Sequence, residues 1–206
     1  NRLQGWSNSP LTEAGLADAD KAGDKLKNIV FAAAYCSDTT RAQQTAERIL
    51  DINEAAGHER PKLIADMHFR EQFYGYYEGL DMAMAWYAAG APHGMKTYNE
   101  IVDTAGLAAT RDWLKEADPF HDAESDAEYW KRVEGAFALI AGNDKLNDGD
   151  DVLQISHGNT LLSLAHRFGS PDLDLSERPK NGSVTVLDFD VDKPFSEAIR
   201  VVSYGQ

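Results

Sequence analysis

Asp151-Val152-Leu153-Gln154-Ile155-Ser156-His157-Gly158-Asn159-Thr160 runs from apolar residues, through a polar turn, into a segment with helical spacing that reaches about Phe168. Val152, Leu153 and Ile155 predict a buried strand over 151–156, and the continuation predicts a helix from about Asn159. The same order occurs earlier in the chain. Val30–Tyr35 reads as a buried strand and Cys36-Ser37-Asp38-Thr39-Thr40 as a turn, while Ala42, Thr45, Ala46, Ile49 and Leu50 form one face of a helix to about Asn53. Two strand–turn–helix units with further helices between them predict an α/β fold, three layers α/β/α around a mainly parallel central sheet.

Outward from these units, Thr12 is placed to cap a helix reaching Lys27, with Leu11 and Leu16 at the positions of a hydrophobic staple. Lys62–Ala65 reads as a further short strand. Residues 81–146 are helical in pattern, broken near Gly90-Ala91-Pro92, Gly106 and Asp118-Pro119, and the helix from about Glu124 to Leu146 is predicted to be the longest. Ser183–Phe189 and Glu197–Ser203 read as closing strands around a turn at Asp192-Lys193-Pro194. No repeat or low-complexity linker divides the chain, so 1–206 reads as one domain carrying a helical insert over 80–130. Met82, Met84, Trp86 and Tyr87 make that insert either an apolar lid or an amphipathic helix packed on the core.

Composition narrows the function classes. Lys and Arg number 20 against 34 Asp and Glu, a net charge of −14, so the long-range field repels polyanions and no nucleic-acid partner is expected. No apolar run approaches the roughly 20 residues that span a bilayer, and no membrane partner is expected. Cys36 is the only cysteine, which excludes an internal disulfide and a multi-cysteine zinc site and fits a cytoplasmic location. His58, His68, His93, His121 and His166 show neither His-x-His nor His-Glu-x-x-His spacing, so no metal and no cofactor is expected. The chain also lacks the serine elbow, the Walker loop and the dinucleotide fingerprint.

In an open α/β sheet, ligands bind where strand C-terminal ends meet helix N-termini, because free N–H groups and the helix dipole favour an anion there. Arg41 and His157 both stand at such junctions. Arg41 is placed to clamp a phosphoryl group, or else is a solvated arginine paired with Asp38 or Glu47. His157 is placed to donate to a phosphoryl oxygen, with Gly158 admitting close approach, or else caps its helix. Glu71 lies among Phe73, Tyr74, Tyr76 and Tyr77, surroundings that suit a general acid, or else is an exposed loop carboxylate beside Arg70. Glu78 and Asp81 compete for that role.

Taken in order, these segments resemble the histidine phosphatase superfamily, the phosphoglycerate-mutase-like proteins. Asn1-Arg2-Leu3-Gln4-Gly5-Trp6-Ser7-Asn8-Ser9-Pro10-Leu11-Thr12 is similar to the stretch that follows the family's nucleophile motif. Ser37–Ala46 is similar to its second phosphate-arginine helix, Glu71–Gly79 to its acid loop, Ile155–Thr160 to its second histidine motif, and Lys180-Asn181-Gly182-Ser183-Val184 to the lead-in to its late strand. The resemblance implies two-step phosphoryl transfer through a phosphohistidine, with a small phosphorylated metabolite as substrate. Arg41 and His157 would hold the phosphoryl oxygens and Glu71 would act as acid and then base. Gln4, Gly5, Tyr74, Gly158 and Asn159 would line the phosphate or substrate pocket.

The family's Arg-His-Gly triplet occurs nowhere in the 206 residues, so the nucleophile and the first strand, central in the family's sheet, are expected ahead of Asn1. Phosphoglycerate mutases of the family carry a paired-arginine motif in a long insertion. Between Gly79 and Trp130 this chain has only Arg111. That departure tilts the expectation from cofactor-dependent mutase toward phosphatase. A catalytically silent phosphate-binding relative is the third reading, and a homo-oligomer is left open.

Overall fold

The computed structural model describes residues 2–206; Asn1, which opens the first of the segments above, lies outside them. Its contacts divide into two compact units, Ser9–Arg70 with Gly135–Gln206, and residues 2–8 with Glu71–Glu134.

The first unit holds the sheet. Strand β1 (Phe31–Cys36) pairs in parallel with β2 (Leu63–Ala65) and with β3 (Asp151–Ile155), giving the order β2-β1-β3. Among the described residues the central strand is β1, whose Cys36 sits opposite Ile155. Alternation along β1 decides which helix covers which face. Ala34 packs with Ala22, Ile49, Leu50 and Leu153 on the side of α1 (Glu13–Leu26) and α2 (Thr40–Ala55), and Cys36 packs with Ala42 and Ala46. Ala33 and Tyr35 face the other way, onto Phe69, Ala136 and Ile140. A register shift between Phe31 and Ala33 turns Phe31 to the α1/α2 side, out of step with its odd-numbered neighbours. Helices on both faces of a parallel sheet are the layered α/β arrangement read from the sequence.

Local choices fix the elements. Thr12 accepts the Gly15 N–H at 3.1 Å and so caps α1, a contact worth about 1 kcal/mol. Asn53, 1% exposed, closes the far end of α2 by donating to the Leu26 and Ile29 carbonyls. Helix α6 (Gly158–Phe168) leaves β3 directly, and β4 (Val186–Phe189) and β5 (Ile199–Ser203), with the short α7 (Phe195–Ala198) between them, form a separate antiparallel pair.

The second unit is helical: α3 (Met82–Gly90), α4 (Tyr98–Ala117) and the first half of α5 (Asp126–Ala141). Its core joins Leu3, Tyr74, Tyr77, Ala85, Trp86, Ala89, Ile101 and Leu114. Thr97 and Glu100 form a reciprocal capping box at the start of α4. Gly106 has φ +83° and kinks α4 at the predicted break. On α3, Trp86 and Ala89 are buried whereas Met84 and Tyr87 are exposed. The expectation that the 124–146 helix is the longest is corrected: α5 has 16 residues and stops at Ala141, while α4 has 20. The stop is local. Asn143 donates its amide to the Tyr35 hydroxyl and accepts the Lys145 N–H, which diverts the chain into turns.

Candidate active site

Adjacent parallel strands end at the same level, and each hands the chain to a helix. Beyond Cys36 the turn Ser37-Asp38-Thr39 leads into α2, with Thr39 at the N-cap and Arg41 in the first turn. Beyond Ile155, Ser156 and His157 lead into α6, with His157 at the N-cap. The two junctions meet: the His157 Nε2 lies 2.9 Å from the Ser37 hydroxyl, itself 2.8 Å from the Thr39 hydroxyl. Ser37 and Thr39 are both buried. The imidazole therefore makes no cap bond to its own helix but reaches across the strand ends.

The two carboxylates weighed as partners of Arg41 each also take another arginine. Arg70 grips Asp38 with Nε to Oδ1 at 2.5 Å and Nη2 to Oδ2 at 2.7 Å, and Arg60 takes Glu47. Asn159, 5% exposed, accepts from Arg178 Nη1 at 3.2 Å, which fixes its amide at the head of α6. A Cβ on Gly158 would stand 3.8 Å from the Arg178 Cδ, so that arginine lies over the helix start. Ser37 and Thr39 belong to this junction as members of the Ser37–Ala46 stretch without an assigned role of their own, and Arg178 belongs to it with no sequence signal beyond standing two residues before Lys180. The Cys36 thiol at the end of β1 is inert: burial first, then the Glu47 and Asp38 carboxylates, push its pKa up to about 12.

Glu71, Gly5, Gln4 and Tyr74 lie in the helical unit. Glu71 is 5% exposed, which corrects the reading of it as an exposed loop carboxylate, and Arg70, its neighbour in that reading, is spent on Asp38. The Glu71 carboxylate accepts the Gln72 N–H at 2.9 Å, and its carbonyl accepts the Trp6 indole N–H at 3.0 Å and Arg132 Nη2 at 3.1 Å.

Its two competitors have other work. Glu78 accepts four backbone N–H groups, from Gly5 at 3.1 Å, Trp6 at 2.8 Å, Ser7 at 2.9 Å and Tyr74 at 3.1 Å. Asp81 caps α3 through the Met84 N–H. Gly5 is buried with its N–H on Glu78, and a Cβ there would overlap the Gln72 carbonyl oxygen. The Tyr74 ring, 2% exposed, packs edge-on against Trp86 in the apolar core. Gln4 is exposed.

One further charged residue bears on chemistry. Arg111, 3% exposed, donates to Asp126 at 2.6 Å and lies 3.9 Å over the Tyr129 ring. Burial alone would lower its pKa, but Tyr129 and Asp126 outweigh that and hold it firmly charged. Among the described residues no group of His, Cys, Asp and Glu is arranged to hold a metal ion.

Comparison with known proteins follows the same lines. A family model described as histidine phosphatase superfamily (branch 1) matches residues 1–201. The 2,3-bisphosphoglycerate-dependent phosphoglycerate mutase 2 of Gloeobacter violaceus is 30% identical over 167 residues, 80% of this chain and 66% of that protein, just short of two thirds of its length. The solved phosphoglycerate mutase from Bacillus anthracis is 29% identical with a TM-score of 0.81, over 100% of this chain and 86% of its own. The alpha-ribazole phosphatase from Shigella flexneri, 18% identical with a TM-score of 0.63 over 100% of this chain and 89% of its own, shares the fold.

Proposed function

Because this chain belongs to the histidine phosphatase superfamily, we propose that it is a phosphomonoesterase that hydrolyses a small phosphorylated metabolite through a phosphohistidine, with protein side chains rather than a metal supplying the positive charge. The observation that carries the reading is the junction at the ends of β1 and β3, where a guanidinium-bearing helix start and an imidazole share the Ser37–Thr39 turn. Arg41 and His157 hold the non-bridging oxygens and stabilise the charge of the transition state. The N–H groups of Gly158 and Asn159 at the head of α6 add donors of the kind an anion uses.

The attacking histidine is the one expected ahead of Asn1. Its ring nitrogen forms the P–N bond as the P–O bond to the alcohol breaks, and the departing oxygen takes the proton of Glu71. Water then attacks phosphorus, the P–N bond breaks, and the water's proton returns to Glu71. Gln4 is assigned to the substrate. Gly5 and Tyr74 serve it indirectly, by shaping the segment that carries Gln4 and Glu71.

Hydrolysis is favoured over mutase chemistry because Arg111, the one arginine between Gly79 and Trp130, is buried against the Asp126 carboxylate and the Tyr129 ring rather than presented to a substrate carboxylate. The names of the mutase relatives favour the second reading, a cofactor-dependent phosphoglycerate mutase. The test incubates the full native protein with 3-phosphoglycerate and a bisphosphate primer, and with a panel of phosphomonoesters. Release of inorganic phosphate faster than isomerisation is expected. Isomerisation in excess of release supports the mutase, and neither activity leaves a silent phosphate-binding relative.

A further inference from the structure

We propose that Trp6 and Arg132 are positioning residues that set the orientation of the Glu71 carboxylate; the inference rests on Glu71 being the general acid. The chain of contacts is continuous. The Trp6 indole N–H and Arg132 Nη2 converge on one acceptor, the Glu71 carbonyl, at 3.0 and 3.1 Å. Two donors on one carbonyl fix the plane of the 71–72 peptide, because the carbonyl oxygen and the following N–H belong to a single rigid unit. That N–H, of Gln72, donates to the Glu71 Oε1 at 2.9 Å. The direction of the carboxylate is thus coupled through one peptide plane to an indole and a guanidinium, each more than sixty residues away in sequence.

Both positioning groups are themselves held. Arg132, 8% exposed, meets Glu124 with Nε to Oε1 at 2.6 Å and Nη2 to Oε2 at 2.9 Å, and the Glu124 Oε2 also accepts the Phe73 N–H at 2.9 Å. The Glu124 N–H returns to the Phe73 carbonyl at 3.0 Å. Trp6 stacks on Phe73 with ring centroids 4.6 Å apart, and its backbone N–H is fixed by Glu78. A buried ion pair of this kind adds little net stability, since desolvation offsets most of its attraction. What it supplies is a rigid donor, and a general acid is useful only within hydrogen-bond reach of the leaving oxygen.

The experiment separates this role from a merely structural one by leaving-group dependence. A departing dinitrophenolate needs no proton, whereas a departing alkoxide does, so only loss of the acid function widens the gap between the two substrates. In the full native protein, kcat/KM is measured for an alkyl phosphate and for 2,4-dinitrophenyl phosphate with Glu71→Gln, Trp6→Phe and Arg132→Lys. Trp6→Phe keeps an aromatic ring beside Phe73 but deletes the N–H together with the five-membered ring of the indole. It is expected to lose about tenfold with the alkyl ester and under about threefold with the activated one, and Arg132→Lys to follow the same pattern more strongly.

Equal losses on both substrates for Trp6→Phe and Arg132→Lys, alongside a wide gap for Glu71→Gln, overturn the positioning role and leave the acid assignment standing. No gap for Glu71→Gln, or no hydrolysis by the parent, overturns the functional reading and the inference with it. Where Arg132→Lys does not fold, Trp6→Phe alone decides.

Discussion

Glu78 is the carboxylate whose replacement the structure prices most clearly. In Glu78→Gln one oxygen remains and the other becomes an NH2 group. Each oxygen serves two backbone donors: Oε1 takes Trp6 and Tyr74, Oε2 takes Gly5 and Ser7. The amide therefore keeps two of the four hydrogen bonds and points a donor at the other two N–H groups. A hydrogen bond to a charged group is worth about 1.5–3 kcal/mol net, and these contacts are only partly buried, so the lower end applies to each and the expected loss is about 3 kcal/mol. For a chain of this size a loss of 1 kcal/mol lowers Tm by about 2–4 °C, which puts the shift near 6–12 °C. Urea titration followed by circular dichroism measures it, with an unchanged m-value as the sign that stability and not compactness has altered. A midpoint within about 0.5 kcal/mol of the parent refutes the four-donor clamp and reopens Glu78 as a candidate acid.

Three further outcomes are expected. Burial raises the Asp118 carboxyl, but the N–H groups of Phe120, Ala123, Tyr76 and Asp122 outweigh it and hold its pKa below the ordinary 3.8, so its contribution is present above that value and lost as pH falls through the lower folded-state value. The stability gap between parent and Asp118→Asn closes in acid, and a gap constant from neutrality to pH 2–3, an approximate range below the unperturbed carboxylate value, contradicts it. Arg111→Ala, which strands Asp126, costs about 3–5 kcal/mol of stability with KM unchanged; an unchanged melting curve with weakened substrate binding would make it a substrate arginine. Cys36, fully buried with its pKa near 12, resists a thiol–disulfide exchange reagent in the native protein and reacts only on unfolding, and rapid native labelling at pH 8, an approximate condition below that pKa, contradicts it.

The parts of this molecule that could be read from sequence are those whose causes are local. Arg41 and His157 stand out because each lies where an apolar strand meets the start of a helix, and Gly106 and Gly90 mark real breaks. The turns after α5 were missed because Asn143 reaches Tyr35, 108 residues earlier, for its partner. The surroundings of Glu71 were hidden for the same reason. Its aromatic neighbours suggested a carboxyl out of water, but Trp6, Glu78, Glu124 and Arg132 are brought to it only by the fold, and nothing in their spacing tells which carboxylate clamps backbone and which is held by a carbonyl. The order β2-β1-β3 also had no local signature, since parallel neighbours need not be consecutive in the chain.

The claim on which the account turns is that Arg41 and His157 together form the phosphoryl-binding junction at the ends of β1 and β3. Orthovanadate titration of the native protein, Arg41→Ala and His157→Ala, with circular dichroism confirming the fold of each, tests it directly. Removal of one charge-assisted contact predicts that each variant stays folded and loses about 10–150-fold in affinity. A folded variant of either residue that binds vanadate as tightly as the parent contradicts it.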